Sequence, residues 1–228
     1  NPIKPSFTVS SQDVSCFGAN DGLFQIVNPT VQGGRTYTVF VNGVSQGTQT
    51  TFINVAPGNY LIKLVDNFGC ESEPVLVVIS QPSRPLEISD LIVENVDCFG
   101  GNVGAIRFKV LGGRPNYTAL LTPLAGPTQS LSAMLEDTEY TFSSLTAGSY
   151  TLEVRDKDGV CFASKIVTIS QPATLSVNAV AGTIACLGGT TFIDLTIAGG
   201  TEPYTILWEK FNTMTSIWET LAETDRRI

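Results

Sequence analysis

The strongest constraint on this chain is an internal repeat marked by its cysteines. Residues 16–20 read Cys-Phe-Gly-Ala-Asn, residues 98–102 read Cys-Phe-Gly-Gly-Asn, and residues 186–190 repeat the motif more loosely as Cys-Leu-Gly-Gly-Thr. The offset is 82 residues from position 16 to 98 and 88 from 98 to 186. Units of that length are too long for solenoid or propeller repeats, so they indicate independent domains in tandem.

Further motifs follow each cysteine in the same order. A Gly pair leads to a Tyr in all three units, and the first two units add a Gly-Xaa-Tyr triplet and an Asp-to-Gly-Cys turn. Both of these units close on Ile-Ser-Gln-Pro, which ends at Pro82 and at Pro172. We therefore expect domains at residues 1–82 and 83–172, and an incomplete third domain at 173–228.

The residue pattern inside each unit predicts strands. Segments rich in Val, Ile, Thr, Tyr and Phe are separated by Gly, Pro, Asn and Asp about every 8 to 12 residues, as in antiparallel sandwiches. We predict an all-β chain of tandem immunoglobulin-like β-sandwiches, two complete and a third truncated. The first unit has six predicted strands, near residues 6–14, 23–28, 36–41, 48–54, 60–66 and 74–80. The longer second unit has six or seven.

Two local signals support this fold. Asn42 and Gly43 tolerate the positive φ of a type I′ turn, so they predict a hairpin. Tyr60 and Tyr150, each entering a late strand after a Gly, are similar to the tyrosine corner of immunoglobulin-like domains. We interpret both as structural.

Composition excludes several classes of function. Thirteen Lys and Arg against 21 Asp and Glu give a net charge of −8, whereas nucleic acid and anionic membranes select clustered positive charge. The absence of His removes Ser-His-Asp and Cys-His catalysis and His-ligated zinc. No apolar run approaches the roughly 18 residues of a membrane span. We expect no catalysis, no nucleic-acid partner, no membrane insertion, and a monomeric fragment of a longer chain.

Together, these motifs resemble the repeat of the SprB-type adhesins, giant surface proteins of gliding bacteria. The first unit carries the pattern at Cys16, Gly18, Gly22, Gly33, Gly34, Gly58, Tyr60, Asp66, Gly69, Cys70, Ile79, Gln81 and Pro82. The second carries it at Cys98, Gly100, Gly104, Gly112, Gly113, Pro115, Tyr117, Gly148, Tyr150, Asp156, Gly159, Cys161, Ile169, Gln171 and Pro172. The first unit lacks the Pro before Tyr37, the second inserts Val160, and the third has no Gly-Cys half.

The resemblance implies a secreted adhesin on the bacterial cell surface that serves gliding motility or attachment, without catalysis. Its partner would be a surface, a polysaccharide or a protein. Two other classes stay open, a carbohydrate- or ligand-binding module and a spacer in a secreted enzyme. An exposed aromatic platform would favour the module, and a catalytic domain in the full-length sequence would favour the spacer.

The cysteines predict an oxidising compartment. Cys16 and Cys70 are 54 residues apart and Cys98 and Cys161 are 63 apart, so we predict one disulfide inside each complete unit and an unpaired Cys186. If every strand reverses the chain, six strands put both cysteines of a unit at one end of the sandwich, whereas seven do not. The alternative is five reduced cysteines in a cytosolic protein.

Calcium is the only cofactor for which the sequence offers candidate ligands. Asn20 and Asp21 in one turn and Asp66 in another would be brought together by a Cys16–Cys70 bridge, and Asp156 and Asp158 begin a run like a calcium loop. The alternative is ordinary turn chemistry, in which Asp and Asn side chains cap their own turns.

Overall fold

The structure is a computed structural model that describes residues 3–228, and all regular elements in this range are strands. Every strand pairing is antiparallel. The tandem all-β architecture predicted from the sequence is confirmed. Residues 3–228 contain no helix with the length and apolar character needed to cross a membrane.

The first sandwich has seven strands: β1 (Ser6–Gln12), β2 (Gly22–Thr30), β3 (Tyr37–Val41), β4 (Val44–Ser45), β5 (Thr51–Val55), β6 (Gly58–Asp66) and β7 (Val75–Ile79). They form a three-stranded sheet in the order β1-β2-β5 and a four-stranded sheet in the order β4-β3-β6-β7. Side chains alternate between solvent and interior along β2 and β6, as expected when one face of each sheet is buried. The core consists of Val14, Phe24, Ile26, Val39, Val55, Ile62, Leu64, Val77 and Ile79.

The second sandwich repeats this topology with β8 (Glu87–Glu94), β9 (Gly104–Leu111), β10 (Tyr117–Pro123), β11 (Gln129–Met134), β12 (Tyr140–Leu145), β13 (Gly148–Arg155) and β14 (Phe162–Ile169). Its sheets have the orders β12-β9-β8 and β11-β10-β13-β14. The larger core includes the fully buried Phe108, Tyr117 and Met134. Both sandwiches therefore have seven strands in the same arrangement.

The seventh strand of the first sandwich is the two-residue β4. It forms the predicted hairpin with β3, and the turn has φ values of 50° at Asn42 and 82° at Gly43. All six predicted strands are present, but the count of six is wrong because β4 is too short to show in the sequence pattern. The additional reversal puts the β1–β2 turn and the β6–β7 turn at opposite ends of the sandwich.

The tyrosine corners are confirmed. The Tyr60 hydroxyl donates to the Ala56 carbonyl at 2.8 Å, and the Tyr150 hydroxyl donates to the Thr146 carbonyl at 2.8 Å. Each bond fixes the connection that leads into the strand bearing the Tyr, so these residues are structural.

The third unit contains β15 (Ser176–Ala181), β16 (Ile193–Ala198), β17 (Glu209–Asn212) and β18 (Ile217–Thr220). β15 pairs with β16, β17 pairs with β18, and backbone bonds from residues 226–228 add a short edge to β16, as β5 does to β2. No side chain in residues 173–228 is buried. Trp208 is half-buried, and its ring N–H donates to the Asp225 carbonyl at 3.0 Å.

Candidate functional site

The Cys-Xaa-Gly turn lies at the exit end of each sandwich, where the chain leaves for the next unit. The Gln81 side chain of the closing motif accepts a hydrogen bond from the Gly18 N–H at 2.9 Å. In the second sandwich Gln171 accepts from the Gly100 N–H at 2.9 Å. Both Gly residues have positive φ, 75° and 73°, which explains why glycine occupies the position. The motifs at the two ends of each unit therefore build one structure.

The Gly-Gly loop lies at the opposite, entry end. In the second sandwich the Tyr117 hydroxyl donates to the Gly112 carbonyl at 2.6 Å, and the Gly113 N–H donates to the Arg84 carbonyl of the linker at 3.1 Å. Burial raises the pKa of Tyr117 to about 12. Arg84 also pairs with Glu136 at 2.7 Å, and this hydrogen bond lowers the pKa of Glu136. The loop thus holds the linker against the sandwich.

The exit end of the first sandwich meets the entry end of the second. Cys16 is disulfide-bonded to Cys161, with Cα atoms 5.6 Å apart. Arg114, which follows the Gly-Gly pair, donates from its two terminal nitrogens to the Ser15 carbonyl at 2.6 Å and the Val14 carbonyl at 2.9 Å. The junction therefore combines a covalent bond with two charge-assisted hydrogen bonds.

The structure contradicts the pairings Cys16–Cys70 and Cys98–Cys161. Seven strands place Cys16 at the exit end and Cys70 at the entry end of one sandwich, so a bridge within the unit would have to span its length. The second sandwich separates Cys98 from Cys161 in the same way. Cys70, Cys98 and Cys186 are free thiols in residues 3–228.

Asp66 stabilises the entry end of the first sandwich. Its carboxylate accepts from Arg35 at 2.6 Å and from the N–H groups of Phe68 at 2.9 Å and Cys70 at 2.8 Å. Burial alone would raise its pKa, but these hydrogen bonds, led by that of Arg35, outweigh burial and lower it. Arg35 also contacts the Cys70 Sγ at 3.3 Å.

The equivalent carboxylate of the second sandwich has a different environment. Asp156 is buried, and neither of its oxygens has a hydrogen-bond donor within residues 3–228. Arg114 has the place in sequence that Arg35 has in the first unit, but its terminal nitrogens contact the first sandwich. Asp158 lies 3.9 Å from the Arg114 Nε. The second sandwich therefore lacks the Arg–Asp pair that Arg35 and Asp66 form in the first.

Two of the candidate calcium ligands, Asp21 and Asp66, have other partners in the structure. Asp21 caps its own turn by accepting from the backbone N–H and the hydroxyl of Ser15, and these bonds, led by that of the hydroxyl, lower its pKa. Asp66 is paired with Arg35, and Asn20 and Asp66 lie at opposite ends of the first sandwich. Across residues 3–228 no three Cys, Asp or Glu side chains converge as a metal site.

The packing seen at the junction recurs at the next boundary. Thr201, which follows the Gly-Gly pair of the third unit, donates its hydroxyl to the Asp97 carbonyl at 2.7 Å. Asp97 precedes Cys98 as Ser15 precedes Cys16. In the second and third units, the residue after the Gly-Gly pair therefore contacts the residue before the cysteine of the preceding unit. The contact between units was not predicted from the sequence. Its only signal in the sequence is that the Gly-Gly pair and the Cys-Xaa-Gly motif recur in the same order in all three units.

No family model matches the chain, and no curated protein is significantly similar to it. Among the solved structures that are similar at low identity are two with tandem domains. A segment of two fibronectin type III domains from chicken tenascin is 18% identical with a TM-score of 0.32, and the match covers 73% of this chain and 99% of that one. The FN1–FN3 domains of chicken CNTN1 are 10% identical with a TM-score of 0.32, covering 100% of this chain and 88% of that one.

Proposed function

We propose that this chain is part of an extracellular structural array of a bacterial surface adhesin that serves gliding motility or surface attachment. Its units are residues 1–82, 83–172 and 173–228. The observation that carries the proposal is the junction, where Cys16 and Cys161 join two sandwiches covalently. Joining separate domains in this way serves a protein whose function depends on the relative positions of its domains.

The disulfide also supports location outside the cytoplasm. Disulfides persist in oxidising compartments and are rare where glutathione and thioredoxin keep thiols reduced. In the chain-entropy model, closing a loop over a separation of 145 residues contributes about 5 kcal/mol. A bond of this kind is most useful to a domain pair that stands outside the cell.

The linkers support a stiff array. Pro82, Pro85 and Pro172 restrict the backbone at the boundaries between units. The Gly113 N–H binds the linker at Arg84, and the Gly200 N–H binds the next linker at the Ala173 carbonyl at 2.8 Å. We propose that the array presents its units in a fixed order and orientation.

Small-angle scattering of the oxidised full chain tests the junction. The double variant Cys16→Ser with Cys161→Ser removes the bond, and we expect it to broaden the distribution of particle sizes. Its matched control, Cys98→Ser with Cys186→Ser, leaves the bond intact and should scatter like the original chain. Equal flexibility in both variants would contradict a structural role for the junction.

Adhesion is tested with beads that carry the oxidised chain. We expect them to be retained under flow on glass, agar or protein-coated surfaces more strongly than beads bearing an unrelated acidic β-sandwich. If both kinds of bead were retained equally on every surface, the adhesive part of the proposal would be refuted and the chain would be interpreted as a spacer.

A ligand-binding module is the second candidate, and one observation favours it. Phe211 and Trp218 are 44% and 62% exposed on the β17–β18 hairpin, with ring centroids 5.2 Å apart. The rings are tilted by 57°, so they do not form the flat platform on which a sugar ring stacks. Glycan-array binding that Trp218→Ala abolishes would favour this candidate.

A further inference from the structure

The Arg that follows the Gly-Gly pair has different partners in the two complete units. In the first unit, one terminal nitrogen of Arg35 donates to the Asp66 carboxylate at 2.6 Å and to the Cys70 Sγ at 3.3 Å. These three side chains belong to one sandwich, and the Asp66 side chain is fully buried. A Gly-Gly loop and a β6–β7 turn can therefore hold an Arg, an Asp and a Cys together inside one unit.

The second unit has the same three residue types, but its Arg is turned away from its Asp. Arg114 donates instead to two backbone carbonyls of the first unit, and Cys161 is bonded to Cys16. Asp156 is only 3% exposed, and neither of its oxygens has a hydrogen-bond donor within residues 3–228. A buried carboxyl group usually has such a donor, so its lack of one here requires an explanation.

Asp156 lies within the length of the Arg114 side chain. The Lys157 N–H donates to the Arg114 carbonyl at 3.3 Å, so the main chain of Arg114 runs beside the residue after Asp156. A Cβ atom built on Gly113, the residue before Arg114, would lie 3.5 Å from the Asp156 Cβ. Rotation between side-chain rotamers is therefore sufficient to move the Arg114 guanidinium from the first unit to Asp156.

The disulfide is accessible to a small thiol. Cys16 is half-buried, whereas Cys161 is 7% exposed. A cleft of about 290 Å³ opens beside the two sulfurs and is lined by Phe17, Val160 and Phe162. Its volume is about ten times the roughly 30 Å³ that one water molecule occupies in the liquid. A thiol can therefore approach the Cys16 sulfur from solvent.

We infer that the Cys16–Cys161 junction is a redox switch in which Arg114 exchanges partners. In the oxidised chain, the disulfide holds the first unit where Arg114 donates to its carbonyls. After reduction, Arg114 turns to Asp156 and to the Cys161 sulfur, as the equivalent Arg does in the first unit, and the first unit is released. The ion pair adds an attraction between opposite charges that neutral carbonyls lack. Arg114 thus has a set of partners in each state.

The covalent step needs a reducing thiol such as glutathione. Its thiolate attacks the Cys16 sulfur, the S–S bond breaks, and Cys161 leaves as a thiolate. A second glutathione thiolate attacks the glutathione sulfur of the mixed disulfide and releases Cys16. One protein disulfide is reduced to two thiols, which take the protons of the two glutathione thiols, and two glutathione molecules are oxidised to one disulfide. Because Arg114 gains Asp156 in this step, the ion pair favours reduction.

The test equilibrates the full chain in glutathione redox buffers, traps thiols with N-ethylmaleimide, and measures the reduced fraction of Cys16 and Cys161 by mass spectrometry. Asp156→Asn should shift the equilibrium constant at least fivefold toward the disulfide, because an amide offers Arg114 no charge in the reduced chain. The control Asp90→Asn makes the same substitution at an exposed position of β8 and should change the constant by less than twofold. No shift for Asp156→Asn, or a shift toward the thiols, would overturn the inference.

Destabilisation of the second sandwich cannot imitate the expected result. A variant that unfolds this unit no longer holds Cys161 beside Cys16, so it shifts the equilibrium toward the thiols. A second variant tests the partner exchange directly. In the Arg114→Ala background, Asp156→Asn should change the constant by less than twofold, because no guanidinium is left to pair with Asp156. The same shift in both backgrounds would overturn the exchange of partners.

The inference rests on the junction of the proposed function, and the same measurement separates the two. If the chain equilibrated with oxidised glutathione alone gave no Cys16–Cys161 peptides, the junction itself would be refuted. If these peptides were present and Asp156→Asn left the equilibrium constant unchanged, only the redox switch would be refuted.

Discussion

Two buried Asp side chains at equivalent positions differ in whether they have hydrogen-bond partners. Asp66 has a guanidinium and two backbone donors, whereas Asp156 has no donor within residues 3–228. Removing one member of a buried ion pair is costly because it leaves the other charge without a partner. The two residues therefore form a natural matched pair for substitution.

Asp66→Asn should destabilise the first sandwich, because it leaves Arg35 without its partner. Asp156→Asn should reduce the stability of the second sandwich less, because neither oxygen of Asp156 accepts a hydrogen bond that the substitution would remove. Thermal unfolding followed by hydrogen exchange within each sandwich measures both effects. A larger loss from Asp156→Asn than from Asp66→Asn would contradict the assigned environments.

The two sandwiches should also lose stability at opposite ends of the pH scale. The lowered pKa of Asp66 contributes stability that is complete above the ordinary Asp pKa of about 4 and lost as the pH falls further. The raised pKa of Tyr117 contributes stability that is complete below about pH 10 and lost toward pH 12. Both effects are measured by unfolding the chain, with its thiols alkylated, over a range of pH. Asp66→Asn should remove the loss of stability at low pH, and Tyr117→Phe should remove the loss at high pH.

At the level of residues, the sequence showed which side chains matter but not which of them meet. The turn Asp residues and the five cysteines can all be recognised in the sequence. Their partners depend on which end of a sandwich each turn occupies, and in the second unit on a neighbouring domain. Spacing along the chain contains neither kind of information.

At the level of elements, the Gly-Gly loops differ in length by one residue. This difference decides whether the Tyr that follows the loop hydrogen-bonds to the Gly carbonyl. Five positions separate the first Gly from the Tyr in the second and third units, and Tyr117 and Tyr204 each donate to that Gly carbonyl at 2.6 Å. Only four separate Gly33 from Tyr37, and the Tyr37 hydroxyl has no hydrogen-bond partner within residues 3–228.

Tyr117→Phe should therefore destabilise the second sandwich by about 1 kcal/mol, because the Gly112 carbonyl loses its buried donor. Tyr37→Phe should change the stability of the first sandwich by no more than a few tenths of a kcal/mol, because no hydrogen bond is removed. Denaturant unfolding of the two variants, with tryptophan-independent detection, measures the difference. Equal losses would show that the Tyr117 bond is not specific to the longer loop.

Most elements could be predicted from the sequence because β-branched and aromatic segments between Gly and Asn turns are strong signals. All six predicted strands of the first unit are present. β4 was missed because its two residues, Val44 and Ser45, are both exposed and show no alternation. Without β4 the first sandwich has six strands instead of seven. Six strands put Cys16 and Cys70 at the same end of the sandwich, and for this reason the predicted disulfides are wrong.

At the level of the whole molecule, the third unit should be the least stable part. Its strands contain no buried side chain, whereas the other two units each have a continuous core. Amide exchange in β15–β18 of the monomeric, reduced chain should be at least 100-fold faster than in β9 and β13. Comparable protection in β16 and β13 would contradict this prediction.

The bond between Cys16 and Cys161 also gives the chain a covalent shortcut under mechanical tension. When the two ends are pulled apart, tension passes from Cys16 directly to Cys161, whose Cα atoms are 5.6 Å apart, and bypasses most of both sandwiches. At about 3.5 Å per extended residue, the separation of 145 residues holds roughly 500 Å of chain in reserve.

Single-molecule stretching should therefore show a final contour length about 500 Å shorter for the oxidised chain than for the reduced one. The control Cys98→Ser with Cys186→Ser should keep the shorter value, and Cys16→Ser should give the longer value under both conditions. Equal lengths before and after reduction would contradict the shortcut. The greatest extension of such an array would then be set by the redox state of its surroundings, since tension alone does not release the enclosed chain.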